Sequence, residues 1–227
     1  LAFSAQYEGN ADVYLLPVEG GVPKRLTYHP GEARVLSFTP DGRHILFASG
    51  RNVFSNRYTQ FFPVSLDGGM PEQLKIPNAY AGGYSPDGQQ MAYNPLYPAF
   101  LQWKNYRGGT VSTIWILRLS DSFVEKVKQP EGRCNDYLPQ WLNQKIYFLS
   151  DRNGEFNLFH FDPKSKEVRQ LTQHRDFPVL NFSGTADTIL YEQAGYLHLL
   201  DIRSGKSKKL GIAISADLPF VRPRYVK

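Results

Sequence analysis

The stretch Phe38-Thr39-Pro40-Asp41-Gly42, followed after two residues by Ile45-Leu46-Phe47, decides the fold. It returns as Tyr84-Ser85-Pro86-Asp87-Gly88 and Met91-Ala92-Tyr93. Proline presets φ for a turn, aspartate bonds back to the backbone, and glycine accepts a positive φ. A hairpin follows, with the apolar-aromatic triplet as its second strand. The triplet also occurs without that turn, as Leu1-Ala2-Phe3, Ile146-Tyr147-Phe148 and Ile189-Leu190-Tyr191. Its aromatics are spaced 44, 46, 55 and 43 residues apart.

A second apolar segment follows each triplet: Val13–Leu16, Phe61–Val64, Ile114–Leu117, Leu158–Phe161 and Leu197–Leu200. A polar turn comes next, such as Glu19-Gly20-Gly21 or Asp67-Gly68-Gly69, and then a short strand, such as Arg25-Leu26-Thr27 or Gln170-Leu171-Thr172. About four short strands in roughly 40 to 55 residues make one propeller blade. Strands apolar on both faces suit sheets packed between neighbours. No segment keeps a 3.6-residue period long enough for a helical solenoid. The chain is therefore expected to be all-β, a β-propeller of four-stranded blades with five repeats. The blades fall at about residues 1–27, 28–75, 76–128, 129–172 and 173–211, and a tail at 212–227 acts as closing strand or linker. The first unit lacks the strand that precedes the turn elsewhere, and Leu1-Ala2-Phe3 reads as mid-strand, so a longer parent protein is expected.

Composition agrees with many short strands and turns: 14 Tyr, 15 Phe, 3 Trp, 19 Gly and 16 Pro in 227 residues. The net charge of +5 is mild, and no recognition motif accompanies it, so nucleic acid is not an expected partner. No apolar run approaches the ~20 residues of a membrane helix. The single cysteine, Cys134, reads as a buried residue. No Gly-x-Ser-x-Gly elbow exists; Gly83-Tyr84-Ser85-Pro86-Asp87 is a blade turn. The five histidines are scattered, and Asp151-Arg152-Asn153-Gly154 reads as a hairpin turn rather than a calcium loop. The expectation is a chain without catalytic residues, metal site or cofactor site.

The 55-residue spacing places roughly ten extra residues between Tyr93 and Ile114. They carry Tyr97, Phe100, Trp103, Lys104, Tyr106 and Arg107. Rings supply rigid contact area, and cations supply stacking or forked donors. Tyr97, Trp103, Lys104, Tyr106 and Arg107 are thus the candidate contact surface. The alternatives are a hairpin folded over its own blade, a contact to another domain or subunit, and a peptide contact at the channel.

The turn-and-triplet repeat resembles the PD40-type repeats of the TolB propeller and the tricorn proteases. Four stretches resemble bacterial tricorn-like serine peptidases more closely. They are Glu19–Gly31, Asn94-Pro95-Leu96 with Trp103–Gly109, Lys145–Arg152, and Asp217-Leu218-Pro219 with Arg222–Lys227. That resemblance implies most of a six-bladed N-terminal propeller, with further domains beyond Lys227 carrying the catalysis. It implies a non-catalytic module that gates peptides or products and scaffolds a homo-oligomeric peptidase. It implies partners in peptides crossing the channel and in other domains or subunits, and a cytoplasmic setting with a periplasmic one as alternative. The other reading is a TolB-like interaction propeller of an envelope complex.

Overall fold

The computed structural model describes residues 1–55 and 57–213. The tail from Ile214 to Lys227, expected as closing strand or linker, lies outside the described residues. The described chain forms five antiparallel sheets in sequence order. The first contains β1 (Ala2–Glu8), β2 (Asn10–Leu15) and β3 (Lys24–Arg25). The second contains β4 (Ala33–Phe38), β5 (His44–Ser49) and β6 (Gln60–Ser65). The third contains β7 (Ala81–Tyr84), β8 (Gln90–Asn94), β9 (Trp115–Arg118) and β10 (Val124–Lys126). The fourth contains β11 (Asp136–Leu142), β12 (Lys145–Ser150), β13 (Asn157–Phe161) and β14 (Val168–Gln170). The fifth contains β15 (Val179–Gly184), β16 (Thr188–Gln193), β17 (Tyr196–Asp201) and β18 (Ser207–Lys209). Each sheet is a meander, with every strand hydrogen-bonded to the next. No described helix is long and apolar enough to cross a membrane.

One backbone bond repeats in all five blades and ties the outermost segment to the strand before it. Leu26, Leu74, Val127, Leu171 and Leu210 donate their N–H to the carbonyls of Val13, Phe61, Ile114, Leu158 and Leu197 at 2.8–3.0 Å. Donor and acceptor are thirteen positions apart each time. In the second blade this bond holds Leu74 to the sheet although no fourth strand extends around it.

The Pro-Asp-Gly turns close as their chemistry requires. The Thr39 hydroxyl donates to the Asp41 carboxylate at 2.5 Å, and that carboxylate accepts the Arg43 N–H at 3.1 Å. Ser85, Asp87 and Gln89 repeat the arrangement at 2.5 and 3.0 Å. Gly42 and Gly88 sit at φ +67° and +70°.

The triplets hold the blades together. Side chains of a strand alternate between its two faces. In three triplets the outer residues pack on the preceding blade and the middle one on the following blade. Ile45 and Phe47 thus join Val13 and Leu26, while Leu46 joins Met91 and Tyr93. Ala92 faces the fourth blade's Ile146 and Phe148, and Tyr147 faces the fifth blade's Ile189 and Tyr191. Four cores, one between each successive pair of blades, follow from this period of two.

Within each sheet the triplet's aromatic stands opposite another ring. The pairs are Phe3–Tyr14, Phe47–Phe62, Tyr93–Trp115, Phe148–Phe159 and Tyr191–His198. Their ring centroids are 5.0–6.1 Å apart. Such pairs contribute about 0.5–1.5 kcal/mol each beyond area burial. In the second and fourth blades an arginine covers the pair. Arg51 lies over Phe47 and Phe62, and Arg152 over Phe148 and Phe159. Cys134 is fully buried.

Candidate functional site

The extra residues of the third blade connect β8 to β9 and contain one 3-10 turn, Ala99–Leu101. Proline at positions 95 and 98 restricts the preceding backbone to extended conformations, so the segment leaves the sheet rather than continuing the strand. It reaches across to the fourth blade. Phe100 packs against Tyr137 and Phe156 with ring centroids 5.2 and 4.6 Å away. Lys104 Nζ donates to Glu155 Oε1 at 2.6 Å, and Arg107 Nη1 to Asp151 Oδ2 at 2.7 Å.

Asp151 is 2 % exposed and organises this junction. Besides Arg107 it accepts the Asn135 backbone N–H at 2.7 Å and the Asn135 side-chain amide at 2.9 Å. The same amide donates to the Tyr106 carbonyl at 3.0 Å, so backbone and side chains of both segments share one network. The Tyr106 phenol lies 2.9 Å from the Thr110 hydroxyl, and hydrogen bonds from Thr110 hold its pKa below the usual phenol range. The Tyr106 ring lies against Gly108, where an added methyl group would make it shift. The segment is a strap between two blades, not a hairpin lying over its own.

A second clamp lies at the base of the strap. The buried Asn94 side chain donates to the carbonyls of Thr113 and Asp136, both at 2.8 Å, and accepts the Leu138 N–H at 3.0 Å. Leu138 sits at φ +53°, within the irregularity of β11 between Tyr137 and Gln140. A left-handed leucine is disfavoured by about 1–2 kcal/mol, and the Asn94 bonds offset that.

The five candidate residues therefore divide. Lys104 and Arg107 are committed to carboxylates of the fourth blade, and Tyr106 to the internal network of the strap. Tyr97 and Trp103 face outward, 40 and 61 % exposed. They line a groove of about 440 Å³ with Leu96, Thr110, Arg57 and Tyr58. Arg57 and Tyr58 belong to the connection between β5 and β6 of the neighbouring blade, so two adjacent loops form the walls. Sequence reasoning did not single out Arg57 or Tyr58, since nothing local marks a loop that faces another loop across a blade boundary. From Tyr97 a row of rings runs inward, to Tyr80 at 5.4 Å and then Tyr137 at 6.3 Å. The Arg34 guanidinium lies 4.4 Å from the Tyr80 ring and donates to the Tyr80 carbonyl. Burial pushes the Tyr137 phenol well above its usual pKa. Among the described residues no cluster of three metal-ligating side chains occurs.

Repeated four-stranded meanders, Pro-Asp-Gly turns and cores alternating from blade to blade define a β-propeller of the TolB and tricorn type. The chain belongs to the tricorn protease N-terminal β-propeller domain family, whose description matches residues 1–206. It is similar to a tricorn protease homolog of Saccharolobus solfataricus, 27 % identical over 95 % of this chain and 20 % of the relative. Tricorn protease homolog 1 of Streptomyces coelicolor is 32 % identical over 90 % of this chain and 19 % of the relative. Among solved structures, the tricorn protease superimposes with a TM-score of 0.76 at 25 % identity, over 91 % of this chain and 20 % of that one. TolB from Acinetobacter baumannii shares the fold, with a TM-score of 0.70 at 18 % identity over 92 % of this chain and 52 % of that one. The chain thus spans about a fifth of the length of the curated relatives it matches.

Proposed function

We propose that this propeller is the non-catalytic module of a larger tricorn-type serine peptidase, in which it gates the passage of peptides or products and scaffolds assembly. The observation that carries this reading is the pair of unfinished sheet faces on the first and last blades. Leu1 and Tyr7 on one, and Leu180 and Leu199 on the other, are exposed. On the inner blades both faces of the triplet strand are buried: the outer residues Ile45, Phe47, Met91, Tyr93, Ile146 and Phe148, and the middle residues Leu46, Ala92 and Tyr147. On this reading residues 1–27, 28–75, 76–128, 129–172 and 173–211 are five blades of a six-bladed ring. The parent chain supplies the sixth, and its remaining domains supply the nucleophile and base. Peptides cross the ring, the parent forms a homo-oligomer, and the setting is cytoplasmic.

The test compares the parent protein with a version lacking residues 1–213. The expected result is that both cleave a short chromogenic peptide, while cleavage of longer peptides changes by an order of magnitude or more in the shortened protein. The isolated chain alone should cleave neither. Unchanged length preference in the shortened protein, or a parent that ends shortly after Lys227, would overturn the proposal.

A further inference from the structure

We propose that the groove between the strap and the β5–β6 loop is a docking site for an acidic peptide segment that presents an aromatic or large aliphatic side chain. Tyr58, Tyr97 and Trp103 line it and stay exposed at 42, 40 and 61 %. Phe54, on the same loop as Tyr58, is fully exposed. Tyr58, Tyr97 and Trp103, three exposed rings from two adjacent loops around one groove, form the kind of apolar surface that marks an interaction site. Tyrosine, tryptophan and arginine are also the residues that carry most of the binding energy at protein interfaces. The volume of about 440 Å³ suits one or two inserted side chains rather than a whole domain.

The charge of the occupant follows from the cations. Lys104 and Arg107 have their carboxylates within the chain, at 2.6 and 2.7 Å. Arg57 has no ion-pair partner among the described residues. Its planar fork stands at the groove, free to take a carboxylate with two parallel bonds. The wall opposite is preorganised, because Phe100, Lys104 and Arg107 pin the strap to the fourth blade. Tyr97 and Trp103 therefore need little ordering on binding, which lowers the entropic cost of a contact. Docking here does not depend on passage of peptides through the ring, so either proposal can fail without the other.

The probe is acetyl-Asp-Phe-Asp-Leu-amide, capped at both ends so that only side chains carry charge. Its counterpart has lysine for both aspartates. Titration into the chain, followed by tryptophan fluorescence and calorimetry, should give saturable binding of the acidic peptide alone, with Kd on the order of 10–100 μM. Trp103→Ala and Arg57→Glu should each weaken it at least about tenfold. Arg57→Lys should retain more of the binding than Arg57→Glu, and Arg57→Glu should now bind the lysine peptide. Both positions are exposed, and an unchanged melting temperature verifies that the three variants remain folded. No saturation by about 1 mM, a Kd above the weakest affinity expected of a specific groove, would overturn the proposal. Equal binding of both peptides, or wild-type affinity in Trp103→Ala, would do so as well. Self-association of the chain that Trp103→Ala abolishes would assign the groove to a second copy and overturn it too.

Discussion

Ala194 stands at φ +52° in the turn between β16 and β17, followed by Gly195 at φ +75°. Two consecutive positive φ values make the mirror-image turn that favours Asn-Gly. An exposed alanine gains nothing there to offset its left-handed strain. Ala194→Asn should stabilise the chain by about 0.5–1 kcal/mol, read as a higher urea midpoint with an unchanged slope. Asp151 is the opposite case, a polar residue whose three bonds depend on its burial. Asp151→Ala should cost about 3 kcal/mol, because it orphans the Asn135 N–H and the Arg107 guanidinium together. Arg107→Ala should cost about 1–2 kcal/mol, since Asn135 still holds the carboxylate. A loss below that of Arg107→Ala in the Asp151 variant would refute this hierarchy. In the sequence Asp151 reads as a turn residue, and the Asp151–Gly154 bond of 3.2 Å bears that out. Its partnership with Arg107, 44 positions away in another blade, leaves no trace in local pattern. Spacing and composition marked the insertion as a candidate contact surface, but only the fold separates the cations it uses internally from the rings it leaves outside.

At the scale of strands, the five triplets and their partner segments were legible because a buried strand in a stacked sheet needs apolar residues on both faces. The ring-on-ring register within each blade was not, since it depends on hairpin closure across loops of unequal length. One member of these strands gives the chain a pH dependence. His160 lies buried on β13, 5.6 Å from the Tyr147 ring, with no partner for Nδ1. Burial, aided by Lys145 and Arg169 against the opposing pull of Asp162, pushes its pKa down to about 4. His174, which joins the fourth blade to Tyr191 of the fifth at 3.1 Å, is also lowered, by burial and then by His198. With folded-state values depressed, the unfolded chain takes up protons first as pH falls below about 6.5. This stability is complete above that value and is lost progressively toward pH 4. Asp41, Asp87, Asp121, Asp162 and Asp201 are lowered too. Their contribution persists until the usual carboxylate range near 4 is reached, so the window from 6.5 to 4.5 reports the imidazoles. Unfolding free energy should fall by roughly 2 kcal/mol across it through His160. His160→Phe, which keeps the ring against Tyr147, should remove most of that slope. An unaltered slope in the variant would show that the proton is taken up elsewhere.

The described residues form a row of sheets, with a core between each successive pair. Stability in such arrays is close to a sum of blade and interface contributions. A leucine between blades and a leucine on the last face should therefore respond differently. Leu46→Ala should cost about 2–5 kcal/mol, whereas Leu199→Ala should stay within about 0.5–1 kcal/mol in this chain. In the parent protein the Leu199 substitution should become as costly as the inner one if a further blade covers it. Hydrogen exchange should likewise be slowest in β5, β8 and β12 and faster in β1 and β16. The blade count and the inequality of the ends were readable from spacing alone. The bridging of two blades by the strap was not, because spacing reveals extra length but not its destination. The bond linking Leu26, Leu74, Val127, Leu171 and Leu210 to a carbonyl thirteen positions earlier bears on synthesis. Each blade can fasten its outer edge as soon as a few residues beyond it have left the ribosome, without waiting for a distant segment. Such short-range closure favours fast folding. A nascent propeller of this kind can accumulate finished sheets one at a time, exposing a single apolar face at its growing end instead of a long unpaired chain.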